Sequence, residues 1–275
     1  MTMPLPTGSA APWRALKALV ALLYLFILGP ILITAAVSFN SVNQSKFPPI
    51  GFSLRWWQDA FAARWLEPLL FSMQLGVVTA LVATLIGMPV AFALVRYRFP
   101  GRALIATLAL GPLALPAMVT GIALLQFLQL GGLGFLFGWP TLLIGHLLIC
   151  TPFSVRTIAI SLAALPGNVE QAAASLGAPG WRIFRDVTLP LAKSGIFAGA
   201  VFAFIHSFTD YSVSLFLSRP GAQPITVTIL GFLEYGFAPT LAAVAVVTLL
   251  VPLVLILAVQ HFFRIGDFIY GPQGR

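Results

Sequence analysis

The sequence predicts an all-α polytopic membrane protein with six transmembrane helices, and three observations carry that prediction. Hydrophobic residues fill 59% of the 275 positions and charged residues only 8%, against about 25% charged in soluble domains. Mean hydropathy is +0.99. The apolar residues also fall into separate runs of about 20, the length that crosses a bilayer as a helix. The net charge of +8 does not point to nucleic acid, because the basic residues lie scattered between the apolar runs. With a single cysteine, Cys150, there is neither an internal disulfide nor a Cys-based zinc site. Cys150 lies in an apolar run and reads as packing.

Residues 1–17 are expected to form a short tail on the N-terminal side of the membrane domain, and 264–275 a C-terminal one. The first span, 18–37, is too long for a cleavable signal core, and Pro30 should bend it. Residues 38–67 contain Pro48, Pro49 and Gly51, which prevent a spanning helix. Within them 54–66 reads as a short helix, with Trp56, Trp57 and Trp65 suited to the membrane interface. Further spans are expected at 69–95, 104–128, 141–162, 196–217 and 241–263, so 18–263 is the membrane domain. Prolines 89, 112, 116, 152 and 252 fall within them and free carbonyls, which is tolerated where helices bend around a cavity. An even number of spans puts both termini on one side. Eleven Lys and Arg lie on that side and four, Lys46, Arg55, Arg64 and Arg219, on the other, so the termini are expected in the cytoplasm.

The longest run that cannot sit in a membrane is 166–195. Pro166 and Gly167 break the preceding helix, and Asn168 is expected to cap a new one, with Gln171 closing a capping box. Glu170 falls in the first turn, facing the positive end of the helix dipole. Gly177 should end this helix in the left-handed conformation. Pro179 suits the first turn of a second short helix, and Pro190 should end or kink it. The apolar residues Ala172, Ala173, Leu176, Trp181, Ile183, Phe184 and Val187 form no single stripe. Two readings stay open on physics alone: a unit that fills a partner's groove, or a loop lying on lipid headgroups through Arg182, Arg185 and Lys193.

Gln171-Ala172-Ala173, Gly177 six residues after Gln171, and Val187-Thr188-Leu189-Pro190 together resemble the EAA loop. That loop belongs to the permease subunits of binding-protein-dependent ABC importers. The family's glutamate is replaced by Gln171, with Glu170 directly before it, so a charge contact from that position to a partner is in question. The resemblance implies the type I ABC importer permease fold, in a bacterial cytoplasmic membrane. It also implies a coupling loop of Glu170, Gln171, Ala172, Ala173, Gly177, Trp181, Phe184, Leu189 and Pro190, seated in a groove of a separate ABC ATPase. A second permease subunit would complete the pore, a different chain in the polyamine branch. A soluble solute-binding protein would dock on the outer loops, including 38–67 and 219–239. Residues 52–57 and 207–214 are similar to stretches of spermidine/putrescine permeases, although Thr209 replaces the first of two family aspartates. A polyamine or similar small cation is the expected solute; thiamine, ferric iron, phosphonates and opines are alternatives.

The sequence holds no G-x-x-x-x-G-K-[ST] loop, no H-E-x-x-H, no G-x-S-x-G and no paired catalytic carboxylates. No catalytic residue, cofactor or metal site is therefore expected. Asp210 is the one acidic residue placed inside a span, where a carboxylate is costly unless it meets a cavity or a partner. With His206, Thr209, Tyr211 and Ser214 it forms a candidate substrate pathway. The plainer alternative is a His206–Asp210 hydrogen bond that fixes helix packing. Gln74, Met118, Thr120, Gln126 and His146 read as packing groups. Two rival classes remain: an intramembrane enzyme using His206 and Asp210, and an ion-coupled carrier working alone.

Overall fold

The computed structural model describes residues 10–263, with side chains from 13 to 259. The C-terminal tail expected at 264–275, and residues 1–9 of the N-terminal one, lie outside the described residues. Twelve α-helices and no strand occur among the described residues. Five helices are long and apolar enough to cross a membrane, and a bent pair makes a sixth span if counted as one. The fold is that of a polytopic helical membrane protein, and it divides into two compact units.

One unit joins the N-terminal residues through Phe61 to Tyr235–Val247. Its first helix, α1 (Ala10–Val37), carries Pro30 and exposes Leu22, Leu25, Phe26 and Ile27, as an apolar medium requires. It starts inside the stretch expected as a tail, because helix propensity extends the apolar span past its polar flank. The following loop is ordered by polar contacts made inward. Buried Asn40 donates to the carbonyls of Gln44 and Lys46, both at 3.1 Å, and accepts from Ile50 N at 3.0 Å. The indole N–H of Trp56 donates to Asn40 O at 2.7 Å, and that of Trp57 to Ser38 Oγ at 3.2 Å. Phe39 stacks between Phe52 and Trp57, with centroids 5.1 and 5.3 Å away. The helix expected at 54–66 is only α2 (Arg55–Ala60) and ends at Phe61.

The other unit runs from Ala62 to Glu234 and takes up the chain again from Thr248. Helix α3 (Ala63–Arg96) begins earlier than the apolar run and holds Pro68 and Pro89. Trp65 consequently lies at its start, 3% exposed and 4.5 Å from Phe232, rather than at a lipid interface. The span expected at 104–128 is broken. Helix α4 (Arg102–Leu110) leads into a 3-10 turn, Pro116 is extended, and α5 (Ala117–Leu130) leaves at 109°. Pro112 and Pro116 cause this, since each removes a helical N–H and Pro116 forces its predecessor out of the helical region.

Helix α6 (Trp139–Ala164) packs against α3 and against α9 (Leu189–Thr209). Their shared core contains Ala91, Leu94, Val155, Ile158, Leu162 and Ala192, all buried. Small residues permit the approach: a Cβ at Gly195 would collide with the Ser161 side chain, and one at Gly199 would sit 3.4 Å from Ser154. The span expected at 196–217 stops at Thr209; Asp210 is extended at ψ 130°, and α10 (Ser212–Leu217) starts afresh. Helix α11 (Ile225–Leu233) and α12 (Pro239–Phe263) are the last elements among the described residues, α12 passing from one unit to the other.

Candidate coupling loop and buried polar network

Between α6 and α9 lies α7 (Gly167–Ser175), a hairpin bend and α8 (Gly180–Ile183). The cap of α7 is Pro166, with φ −61° and ψ 118°, and no side chain caps the helix. The capping box expected from Asn168 and Gln171 does not form, because Pro166 and Gly167 start the helix two positions early and leave Asn168 already inside it. The C-terminus behaves as its sequence demands. Gly177 has φ +82°, its N–H donates to Ala174 O at 2.9 Å, and Ala178 N–H donates to Ala173 O at 3.2 Å. This pair of bonds is the Schellman closure, which needs the left-handed residue that glycine supplies without a Cβ penalty.

Pro190 does not end the second helix; the helix runs on through it. A π-helical stretch, Phe184–Thr188, bridges α8 and α9, so Gly180–Thr209 runs as one candidate span. Pro190 has no N–H for the Asp186 carbonyl, and its ring would press on it in an α-turn. The wider turn, with Leu189 N–H donating to Phe184 O, absorbs that conflict.

The predicted loop residues divide by the way they face. Gln171, Ala172, Gly177, Trp181 and Pro190 are exposed, and Ala173 and Leu189 are half-buried. Leu176 is 90% and Trp181 61% exposed, so the loop's bend presents uncovered apolar surface. Phe184 instead turns inward and packs edge-on against Phe92, 5.0 Å between centroids. Glu170 also turns inward. Its carboxylate lies 3.0–3.2 Å from Nε of Arg96 and 3.1 Å from Nη2, and it accepts from Thr188 Oγ1 at 2.8 Å. Arg96 and Thr188 were not foreseen as members of this site; Thr188 sits inside the quoted motif, but Arg96 is 74 residues away in sequence.

The second cluster lies at the break between α9 and α10. Asp210 Oδ2 accepts from Val213 N at 3.1 Å, Ser214 N at 2.9 Å and Ser214 Oγ at 3.1 Å. The carboxylate therefore caps α10, while its own carbonyl accepts from Thr226 Oγ1 at 2.7 Å. The alternative reading, a His206–Asp210 bond, is not what holds this site. His206 lies against Phe153, ring centroids 4.5 Å apart. The histidine of the network is His146, read from the sequence as packing. Fully buried, it meets Ser207 Oγ through Nδ1 at 2.7 Å and Ser214 Oγ through Nε2 at 3.0 Å, with Nε2 3.9 Å from Asp210 Oδ2. Ser214 gives its proton to the carboxylate, so its oxygen accepts from His146 Nε2–H. Thr209 is exposed and Tyr211 half-buried, and Thr209 Oγ1 donates back to Ile205 O. No group of three or more His, Cys, Asp or Glu suited to a metal occurs among the described residues.

Comparison with known proteins places this architecture. Residues 83–265 match the family model described as binding-protein-dependent transport system inner membrane component. The spermidine/putrescine transport system permease protein PotC of Escherichia coli K12 is 33% identical over 246 residues, covering 88% of this chain and 91% of that one. The putrescine transport system permease protein PotI of the same organism is 30% identical over 249 residues, covering 87% and 86%. The fold is also that of a bacterial alginate ABC transporter, solved with an alginate pentasaccharide-bound periplasmic protein. There the TM-score is 0.71 at 17% identity, over 92% of this chain and 94% of that one. This chain belongs to the binding-protein-dependent transport system inner membrane component family, as an ABC importer permease.

Proposed function

We propose that the chain is the pore subunit of an ATP-driven importer whose solute, a polyamine or similar small cation, arrives on a soluble binding protein. Loop 166–195 is the element on which a separate ATPase docks, and closure of the ATPase dimer rocks the helices between inward and outward access. The observation that carries this reading is the uncovered bend of the loop, where Leu176 and Trp181 stand 90% and 61% exposed. Large apolar groups on a hairpin are the anchors that a partner's groove takes up. The loop and both termini face the cytoplasm in this reading, in keeping with the distribution of Lys and Arg. A second permease subunit, a different chain, completes the pore.

The polyamine assignment rests on the relatives' transport of spermidine and putrescine as their names give it. Thr209, Tyr211 and His206 retain accessible surface and line the pathway, whereas Asp210 and Ser214 shape it by holding the helix break. Purification from cells that co-express the neighbouring transport genes tests the whole reading. The expected result is a complex with an ATPase, and spermidine or putrescine uptake in proteoliposomes that requires ATP and binding protein. Uptake by the chain alone would replace the reading with a carrier. Dependence on ATP with a different solute would move only the substrate.

A further inference from the structure

Glu170 joins three segments that the chain keeps apart. It sits in the first turn of α7, Arg96 is the last residue of α3, and Thr188 ends the π-helical stretch before α9. Helix α7 is covalently continuous with α6 on one side and with α8 and α9 on the other. Helix α3 has no such link: beyond the core it shares with α6 and α9, it meets the segment between them through the Phe92–Phe184 contact and the Arg96–Glu170 ion pair. An aromatic contact slides and turns at little cost; a guanidinium meeting one carboxylate through Nε and Nη2 fixes orientation as well. Thr188 is 1% exposed, so its hydroxyl holds the carboxylate from the protein side. The Arg96 and Glu170 side chains are 19% and 21% exposed and border a cavity of about 600 Å³. Water therefore reaches the pair, which can open and close within a transport cycle. Gln171, where the family has its glutamate, faces outward, so the loop's carboxylate at Glu170 is turned to the membrane helices and not to a partner.

We propose that Glu170 is a positioning residue that fastens α7 to α3 through Arg96 and to the start of α9 through Thr188. Displacement of the loop then carries α3, α6 and α9 together, as their common core requires. The proposal rests on reading the loop as the docking element. Its quantity is solute imported per ATP hydrolysed, measured on the full importer in proteoliposomes. Glu170→Gln and Arg96→Ala lower that ratio by about fivefold or more, in the range of ordinary coupling free energies, while the ATPase still co-purifies. Thr188→Val lowers it by roughly twofold. The charge exchange R96E/E170R recovers at least roughly half of the loss, as an interaction between two neighbouring groups demands. A mere stabilising contact would change yield or melting temperature and leave the ratio in place. An unchanged ratio in Glu170→Gln, or an exchange no better than the single variants, overturns the proposal. Should Glu170→Gln fail to assemble, Thr188→Val and Arg96→Lys carry the test, and an unchanged ratio in both overturns it equally. Cross-linking from Trp181→Cys separates the two levels. No captured ATPase removes the docking reading; captured ATPase with an unchanged ratio removes the clamp alone.

Discussion

Asp210 accepts from donors three and four residues ahead on its own chain, whereas Glu170 accepts from side chains 74 and 18 residues away. Both carboxylates are acidic groups in a protein with few of them, and both stand next to a helix boundary. Asp210 is 8% exposed and closes a local loop of bonds: it repairs the N-terminus of α10 that its own break creates. Glu170 lies at a wetter place and ties segments that nothing local would bring together. A carboxylate that caps its own helix holds one conformation. A carboxylate that bridges to a distant arginine relates the movement of one segment to that of another.

Breaking the Asp210 site should give the largest effect on stability. Asp210→Ala leaves two buried backbone N–H groups and a buried hydroxyl without their acceptor, which costs roughly 2–4 kcal/mol. Unfolding of the purified protein in detergent measures it. Asp210→Asn keeps a capping oxygen, so it should lose about 1 kcal/mol and assemble normally, with reduced uptake. If Asp210→Ala cost no more than Glu170→Ala, the contrast between the two sites would collapse.

Gly177→Val tests the hairpin that carries the loop's exposed apolar groups. A β-branched residue at φ +82° is strained by about 1–2 kcal/mol. The strain is relieved by opening the bend, so uptake per ATP should fall well below the wild-type ratio although the protein still inserts and assembles. Normal uptake and normal ATPase activity together would exclude a docking role for the bend. The smallest effect belongs to Ser175→Ala. Ser175 Oγ donates only to Gln171 O in its own exposed turn, so stability should stay within about 0.5 kcal/mol and coupling should not change. A clear loss there would show that the outer face of α7 matters beyond Leu176 and Trp181.

Much of this molecule was legible wherever one residue's backbone preference decides the outcome. Gly177 ends α7 as read, and the spans at 141–162 and 241–263 fall within two residues of α6 and α12. The failures share a physical cause. Proline 112, 116 and 190 were all seen as breakers, but a missing N–H does not say whether the chain will bend by 109°, as between α4 and α5, or widen one turn, as at Phe184–Thr188. That choice depends on what packs beside it. The Asn168 cap failed because the helix had a competing start at Pro166. His146 was invisible as a partner of the Asp210 network because Ser207 and Ser214 lie 61 and 68 residues further on, and only the packing of α6 against the α9–α10 break brings them together. Arg96 is one of the eleven basic residues on the side of the termini, a count that says nothing of its partner in α7.

The widened turn at Phe184–Thr188 has a geometric consequence of its own. Each residue of an α-helix advances the side-chain azimuth by about 100°, so one extra residue in a turn resets the angular phase of everything beyond it. Trp181 lies before this reset, and the Gly195–Gly199 seam lies after it. The compass bearing at which the hairpin projects is therefore dialled in by five residues of overwide backbone, independently of the hairpin's own sequence.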